Sequence, residues 1–295
     1  LSGVFEGLTT GTPLSLMVRN TSQKSSDYSE IASCYRPGHA DYCFDAKYGL
    51  RDYRGGGRSS GRETIGRVAA GAVAAKILST IGITLRAYTK SIGPVSIDMS
   101  NFDPEAILTC ATCMPDRTAD QKAMDYLKEC MRDKDSSGGV IECVIEGVPA
   151  GVGDPVFDKL DGDLSIGAVK AVEIGDGTSV SQARGSQNND PFVNVEGIVS
   201  KKTNHAGGIL GGISDGSPII VRAHVKPTPS IFSPQETVNA RKENVEIAIK
   251  GRHDPVVVPR AVVVVESMAA LAILDACMRN MTARLSYLTD FYKIE

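Results

Sequence analysis

The chain has 295 residues, of which 42% are hydrophobic and 23% charged, and its formal net charge is −3 at pH 7. This composition is that of a globular protein, long enough for one large domain or two ordinary ones. The small net charge argues against a general DNA-binding protein, which must neutralise many phosphates, and the absence of tryptophan argues weakly against a base-stacking surface.

Periodicity predicts the secondary structure along the chain. Alternating apolar residues predict strands at 14–18, 83–87, 95–98, 140–146, 168–174, 219–226 and 245–250. Helical spacing predicts helices at 60–81, 118–132 and 259–280, and capping boxes start the first two, at Ser60/Glu63 and Thr118/Gln121. Residues 185–217 are rich in glycine and polar side chains and are predicted to form long loops.

The predicted strands occur in clusters, and regular crossover helices do not join them. This arrangement favours an α+β fold with largely antiparallel sheets over a doubly wound one. No linker rich in proline and serine interrupts the chain, so a single domain over residues 1–295 is predicted. The apolar run 261–274 is too short to span a bilayer and contains Glu266, so we expect a buried core helix and no membrane association.

A glycine-rich loop with three arginines, residues 54–62, comes directly before the first predicted helix. Free backbone N–H groups and the helix dipole at such a position favour an anion such as a phosphate or carboxylate. Arg36, Arg51 and Arg67 are close in sequence and add to the local positive charge. The alternative is a solvated turn with ordinary surface arginines.

Three of the four histidines, His39, His205 and His253, lie in predicted loops beside glycine or proline, whereas His224 falls on the polar face of a predicted strand. Loops on a rigid scaffold often carry functional groups, and imidazole is the usual proton carrier near neutral pH. A further loop, residues 226–230, follows a predicted strand, and its two prolines stiffen it for binding a polar ligand.

Several signatures of other functions are missing or incomplete. Neither a Rossmann nor a P-loop glycine motif is present. Ser214 lies in a G-x-S-x-G motif typical of serine hydrolases, but the strand before it and the helix after it are not predicted. Cys110 and Cys113 form one C-x-x-C motif without a second pair or a nearby histidine, so no metal site is predicted.

Taken together, these motifs resemble chorismate synthase over essentially the whole chain. The segments that carry the resemblance occur in the order of the family: Ser2–Gly7, Arg36-Pro-Gly-His-Ala-Asp41, Gly55–Glu63, Gly151-Val-Gly-Asp-Pro-Val-Phe157, Val172-Glu-Ile-Gly-Asp-Gly177, Asn204–Ser214, Lys226-Pro-Thr-Pro-Ser230 and Gly251-Arg-His-Asp-Pro255. Any one of them could arise by chance, whereas the ordered set is highly specific.

The resemblance implies a single-domain β-α-β sandwich, with helices packed between largely antiparallel sheets, assembled as a homotetramer. It implies a lyase of the shikimate pathway that forms chorismate from 5-enolpyruvylshikimate 3-phosphate and requires reduced FMN. The substrate carries a phosphate and two carboxylates, which suits the arginines of the chain. Whether NADPH reduces the flavin on the protein itself or an external reductant does so stays open. An odd number of cysteines and no signal peptide lead us to expect a cytoplasmic protein without nucleic-acid partners.

The resemblance also implies roles for individual residues. His39 matches the histidine that keeps the reduced flavin correctly protonated, and Asp254 matches the carboxylate that assists removal of the ring hydrogen. Arg36 and Arg62 match ligands of the substrate anions. The implied FMN contacts are Arg58, Ser59, Ser60, Gly167, Ala168, Gly211, Lys226, Pro227, Thr228, Pro229, Ser230 and Arg252.

The chain departs from the family pattern at two places. The first family motif, Gly-Glu-Ser-His-Gly, carries a second catalytic histidine and is expected upstream of Leu1. The segment ending in Asp163-Leu-Ser-Ile-Gly-Ala168 is shorter than the family pattern, and Gly167 stands where an asparagine is usual. Two alternatives to the lyase are a serine hydrolase that uses Ser214 and a flavin- or anion-binding protein that lacks catalysis.

Overall fold

A computed structural model of the protein describes residues 2–19, 21, 32–53, 60–155, 166–249 and 254–293. Its helices are α1 (Asp41–Tyr48), α2 (Thr64–Thr80), α3 (Ala106–Thr109), α4 (Arg117–Arg132), α5 (Gly185–Asn188), α6 (Val258–Asn280) and α7 (Leu285–Phe291). Short 3₁₀ segments lie at Gly61–Glu63, Met99–Asn101 and Gly177–Gln182.

The strands of the described residues pair in small antiparallel sheets and in one larger sheet. They are β1 (Val4–Phe5), β2 (Leu8–Thr9), β3 (Thr84–Ile92), β4 (Val95–Ser96), β5 (Gly139–Glu146), β6 (Val169–Ile174), β7 (Phe192–Val195), β8 (Ile198–Lys201), β9 (Ile209–Leu210), β10 (Ile213–Ser214), β11 (Ile219–Val225), β12 (Gln235–Val238) and β13 (Asn244–Ile247).

The contacts between residues divide the chain into two compact units. The loop unit comprises Leu1–Ala69, Leu127–Ser137 and Pro227–Val256, and the sheet unit comprises Ala70–Tyr126, Gly138–Lys226 and Val257–Glu295. The single domain expected from the sequence remains a prediction.

The sheet unit is built on a five-stranded antiparallel sheet in the order β4-β3-β5-β11-β6. Residues of β11 alternate between buried and half-buried, as a strand with one core face requires. The buried side chains Ile141, Cys143 and Ile145 of β5 lie beside it in register. Alternation of apolar and polar residues therefore determines which face of the sheet meets the core.

Helix α6 packs against β3 and β5. It is long and apolar enough, by length and composition alone, to cross a membrane. Val258, Val265 and Ala270 on one side of it are nevertheless fully buried inside the fold, as the sequence-based expectation of a core helix requires. The helix approaches α2 closely at Gly71, where an added Cβ would lie 2.3 Å from the Cβ of Ser267. Only a glycine fits at this contact.

The loop unit consists of short elements joined by side-chain contacts. Its described elements include α1 and the hairpins β1–β2 and β12–β13. The backbone N–H of Tyr35 donates to the carbonyl of Val238, 3.1 Å away, and Cys34 bridges to Asn239, so the loop before α1 is attached to the β12–β13 hairpin.

Most of the long predicted elements are confirmed, as is the α+β class with antiparallel sheets. Helices form at α2, α4 and α6, and strands form at β3 to β6, β11 and β13, with boundaries close to those predicted. Ser60 is the N-cap of the 3₁₀ segment before α2, although its hydroxyl accepts from the N–H of Arg62 rather than from Glu63.

Three local predictions are wrong. Residues 14–18 form no regular strand, because Ser15 makes only an isolated bridge to Ser2. Residues 185–217 contain α5 and two hairpins, β7–β8 and β9–β10, instead of long loops. The carboxylate of Asp116, not the hydroxyl of Thr118, caps α4, and it accepts from the N–H groups of Thr118 and Ala119.

Candidate active site

The first group of predicted site residues surrounds Asp41 in the loop unit. Arg36 donates from Nε and Nη2 to the two oxygens of Asp41, each at 2.8 Å, and its backbone N–H donates to the same carboxylate. Arg51 places Nη1 2.8 Å from Oδ2 of Asp41 and donates from Nη2 to two backbone carbonyls, those of Ala32 and Cys34. Asp41 therefore orients two guanidinium groups at the start of α1.

The electrostatics of this cluster follow from its burial. Burial on its own would raise the pKa of Asp41, but hydrogen bonds from Arg36 and the charges of Arg36 and Arg51 outweigh it and lower the pKa to about 2. Asp41 is consequently ionised at neutral pH. A guanidinium has five N–H donors, and the fork to Asp41 uses two of those on Arg36, so three can serve another anion.

His39 lies three residues after Arg36 in the same turn and is half-buried. Its Nδ1 is 3.1 Å from the carbonyl oxygen of Pro37, and its Nε2 is 3.2 Å from the hydroxyl of Ser230. The predicted histidine and the predicted loop 226–230 thus meet through a hydrogen bond. Of the other histidines, His205 and His224 belong to the sheet unit, where they lie beside Asp176 and Glu173, and His253 lies outside the described residues.

Pro227, Thr228 and Pro229 of the predicted loop border a cavity of about 240 Å³ in the loop unit. Ser136 donates its hydroxyl to the carbonyl of Thr228, 2.7 Å away. The hydroxyl oxygen of Thr228 is itself buried and has no hydrogen-bond partner within the described part of the chain. A buried hydroxyl without a partner is costly unless a ligand or water satisfies it, so this oxygen suits a polar ligand.

Asp254 is half-buried and precedes a segment that is paired with Ser137. The N–H of Ser137 donates to the carbonyl of Pro255 at 2.8 Å, and Ser137 forms a parallel bridge with Val256. The neighbouring residues Ser136 and Ser137 therefore contact the loop that ends at Ser230 and the segment that follows Asp254, respectively. Arg252 lies outside the described residues.

The glycine-rich loop is described only from Ser60 onward, so Arg58 and Ser59 lie outside the described residues. Arg62 is exposed in the 3₁₀ segment that Ser60 caps. Glu63 does not complete the capping box, because its carboxylate lies 3.1 Å from Nε of Arg67. Arg62 is therefore presented to solvent at the start of a helix, as an anion ligand requires.

The remaining predicted FMN contacts belong to the sheet unit. The N–H of Lys226 donates to the carbonyl of Ala168 at 3.0 Å, so the predicted pair Gly167 and Ala168 lies beside the end of β11. Burial lowers the pKa of Lys226, and the positive charge of Lys170 lowers it further. Gly211 occupies the β9–β10 turn with φ +64°, and among the described residues no atom beyond its chain neighbours lies within 4 Å of the Cβ position there.

Ser214 has a structural role. Its side chain is buried in the sheet unit, donates to the carbonyl of Pro149 at 2.6 Å and accepts from the N–H of Val152 at 2.9 Å. It ends β10, and the next element is a strand rather than the helix of a nucleophile elbow. The structure thus contradicts the serine hydrolase alternative.

The cysteine motif shows no sign of reactivity. Burial raises the pKa of both Cys110 and Cys113, which disfavours the thiolate. Within the described ranges, no group of three or more histidine, cysteine or acidic side chains could hold a metal ion.

Two partners of predicted site residues, Asp41 and Ser136, were not indicated by the sequence. Asp41 stood inside a quoted motif without a role, although a carboxylate five residues after an arginine in one turn is a signal that could have indicated an ion pair. Ser136 carried no predicted role. Its partner, Thr228, is 92 residues away along the chain, and no local sequence pattern predicts such a contact.

Comparisons with known proteins identify the family. The family model for chorismate synthase matches residues 1–278. The chorismate synthase of Agathobacter rectalis is 63% identical over 99% of this chain and 81% of its own length. That of Lachnoclostridium phytofermentans is 61% identical over 99% and 82%, and that of Methanococcoides burtonii is 51% identical over 95% and 79%.

A crystal structure of a chorismate synthase superposes with a TM-score of 0.70 at 32% identity, covering 85% of this chain and 74% of the other. The α+β fold is thus that of a carbon–oxygen lyase that acts on a phosphate ester. The chain belongs to the chorismate synthase family.

Proposed function

We propose that the protein forms chorismate from 5-enolpyruvylshikimate 3-phosphate by an anti-1,4-elimination of phosphate and a ring hydrogen, the last common step of the shikimate pathway. The observation that carries this proposal is the agreement of the family model over residues 1–278 with relatives of 50–63% identity over nearly the full chain. The arginine cluster of the loop unit supports it, because the substrate has three anionic groups.

Reduced FMN, when bound, supplies the electron density that assists bond breaking without a net redox change. The proposed contacts from the described residues are Ser60, Gly167, Ala168, Gly211 and Lys226–Ser230, with Arg58, Ser59 and Arg252 from outside them. The buried hydroxyl of Thr228 is suited to such a polar cofactor, because no described residue forms a hydrogen bond with it and a bound ligand could do so. NADPH is a candidate source of the electrons.

Arg36 and Arg62 are proposed to bind the substrate anions. Asp41 holds the guanidinium of Arg36 by two N–H groups, so its remaining donors keep a fixed direction toward a carboxylate or phosphate. Arg62 is exposed at the start of a helix, where its charge and the helix dipole both favour an anion. The side chains thereby neutralise and orient the substrate.

His39 and Asp254 are proposed to carry the proton steps. His39 presents Nε2 to a hydroxyl and Nδ1 to a carbonyl, so a proton can be exchanged only at Nε2 without breaking the contact to Pro37. This nitrogen is suited to keep the reduced flavin correctly protonated. Asp254 is suited to assist the removal of the ring hydrogen, because the next residue, Pro255, is held by a hydrogen bond from the N–H of Ser137.

The assembly and location are further parts of the proposal. We propose a cytoplasmic homotetramer that binds neither nucleic acid nor membrane. The small net charge and the packing of α6 against the sheet support the last two points.

The test is formation of chorismate and phosphate from the substrate under anaerobic conditions with chemically reduced FMN. We expect product from the wild-type protein and from Ser214→Ala alike, since Ser214 holds backbone groups only. Flavin binding without product would favour the alternative of a binding protein that lacks catalysis. Adding NADPH with and without a flavin reductase then identifies the source of electrons.

A further inference from the structure

Two loops that contain predicted site residues, 36–39 and 226–230, contact each other. Two consecutive residues of each loop make the contact. Gly38 has φ +70°, and a Cβ added there would lie 2.7 Å from the Cβ of Pro229. The next pair along the two loops is His39 and Ser230, with Nε2 of the histidine 3.2 Å from the hydroxyl oxygen. The left-handed backbone and missing side chain of Gly38 therefore allow the close approach that brings His39 to Ser230.

The partners of the imidazole decide which nitrogen carries the proton. The carbonyl of Pro37 can only accept, and it lies 3.1 Å from Nδ1, so Nδ1 must be protonated to make this hydrogen bond. In the neutral ring Nε2 is then an acceptor, and the hydroxyl of Ser230 donates to it. When the ring gains a proton at Nε2, the same hydroxyl can accept from it, because a serine oxygen serves in both directions.

The loop that carries Ser230 is itself held in place. Ser136 donates to the carbonyl of Thr228 at 2.7 Å, two residues before Ser230. Pro227 and Pro229 restrict the backbone of the same loop. The hydroxyl of Ser230 is therefore presented from a restricted segment, as a group that orients another side chain requires.

We propose that Ser230 is a positioning residue for His39, whose imidazole it holds through Nε2 in the tautomer protonated at Nδ1. This role goes beyond contact with the cofactor, and it rests on the proposed role of His39 in turnover. Nε2 is thereby the nitrogen that gains and loses the proton, while Pro37 keeps the proton on Nδ1.

The test combines ¹⁵N NMR of histidine-labelled, flavin-free protein with turnover at saturating reduced FMN and substrate. We compare the wild type with Ser230→Ala, with Ser230→Thr, which keeps the hydroxyl, and with the matched control Ser233→Ala. Ser233 belongs to the same segment, but its hydroxyl donates to the carbonyl of Lys134 at 3.1 Å.

We expect the His39 signals of the wild type to show a protonated Nδ1 and an unprotonated, hydrogen-bonded Nε2. Ser230→Ala should move the Nε2 signal and lower kcat by about tenfold, the loss of one hydrogen bond, while the substrate KM stays within about twofold. Ser230→Thr should restore both readouts, and Ser233→Ala should match the wild type.

A wild-type His39 protonated at Nε2, or an Nε2 signal that Ser230→Ala leaves unchanged, would overturn the inference. A moved Nε2 signal with a wild-type kcat would support the contact and overturn the proposed role of His39 in turnover. The NMR measurement on flavin-free protein thus separates a failure of the positioning role from a failure of the proposed function.

Discussion

The sheet unit and the loop unit are stabilised by different kinds of contact. In the sheet unit, antiparallel backbone ladders join β3, β5, β11 and β6, with one register shift in each of the pairs β3–β5 and β11–β6, and buried apolar side chains cover one face. In the loop unit, single side chains hold backbone carbonyls, N–H groups and one another, as at Asp41, His39 and Ser136. A core substitution in the sheet unit is therefore expected to act through lost packing, whereas a substitution in the loop unit is expected to act through the loss of a single polar contact.

The largest effect on folding is expected in the sheet unit. Ile141 is fully buried in the central strand β5, so Ile141→Ala removes packed methyl groups and leaves a cavity. We expect the free energy of unfolding to fall by about 2–5 kcal/mol, measured by urea denaturation. Leu108→Ala is the control, because that side chain is 90% exposed, and it should change the stability by less than about 0.5 kcal/mol.

For the arginines of the glycine-rich loop we expect effects on ligand binding. Arg62→Ala should raise the dissociation constant of the substrate by about 10- to 100-fold, because a charge-assisted contact is worth about 1.5–3 kcal/mol. Arg58→Ala should weaken mainly the binding of FMN. Titration of each variant with FMN and with the substrate measures how far each dissociation constant changes.

Equal losses of affinity for both ligands in both arginine variants would mean that either substitution disrupts the conformation of the whole glycine-rich loop. The division of roles between Arg58 and Arg62 would then be wrong.

A smaller effect, dependent on pH, is expected at Asp41. Its pKa is lowered to about 2 in the folded protein, below the unfolded value, so its stabilising contribution is fully present above about pH 4 and is lost as the pH falls toward 2. The contribution at neutral pH is about 2 kcal/mol. Asp41→Asn should therefore be less stable than the wild type at pH 7, with the difference shrinking in acid.

Asp45→Asn is the matched control for Asp41→Asn. The carboxylate of Asp45 is 3.7 Å from Nε of Arg51 and more exposed, so its removal should change stability by less than about 1 kcal/mol. A difference between wild type and Asp41→Asn that stayed constant from pH 7 to pH 2 would contradict the ion-pair account.

The same contrast explains what could be predicted from the sequence. The strands β5 and β11 and the helices α2 and α6 follow from periodicity, because burial of one face imposes a repeat on the residues. The hairpin β7–β8 was missed, because apolar residues such as Ile198 and Val199 are exposed in succession and give no alternation. Its turn is made by Glu196 and Gly197, both with positive φ.

The candidate site was predicted by motifs and not by periodicity. The motifs indicated His39 and the loop ending at Ser230, which meet in the structure although 191 residues separate them. They did not indicate Asp41 as the partner of Arg36, although the spacing of five residues is a local signal. They did not indicate Ser136, because a contact with a backbone carbonyl 92 residues away leaves no local pattern. Contacts between residues far apart along the chain can be recognised only in the three-dimensional structure.

The most direct test of the account is the effect of His39→Ala on turnover and on FMN binding, measured on the same preparation. If His39 keeps the reduced flavin correctly protonated, we expect kcat to fall by roughly 10²–10⁴ at saturating reduced FMN, the range for the loss of a general acid–base group. The dissociation constant of FMN should change by less than about tenfold. A wild-type rate of chorismate formation in His39→Ala would contradict it.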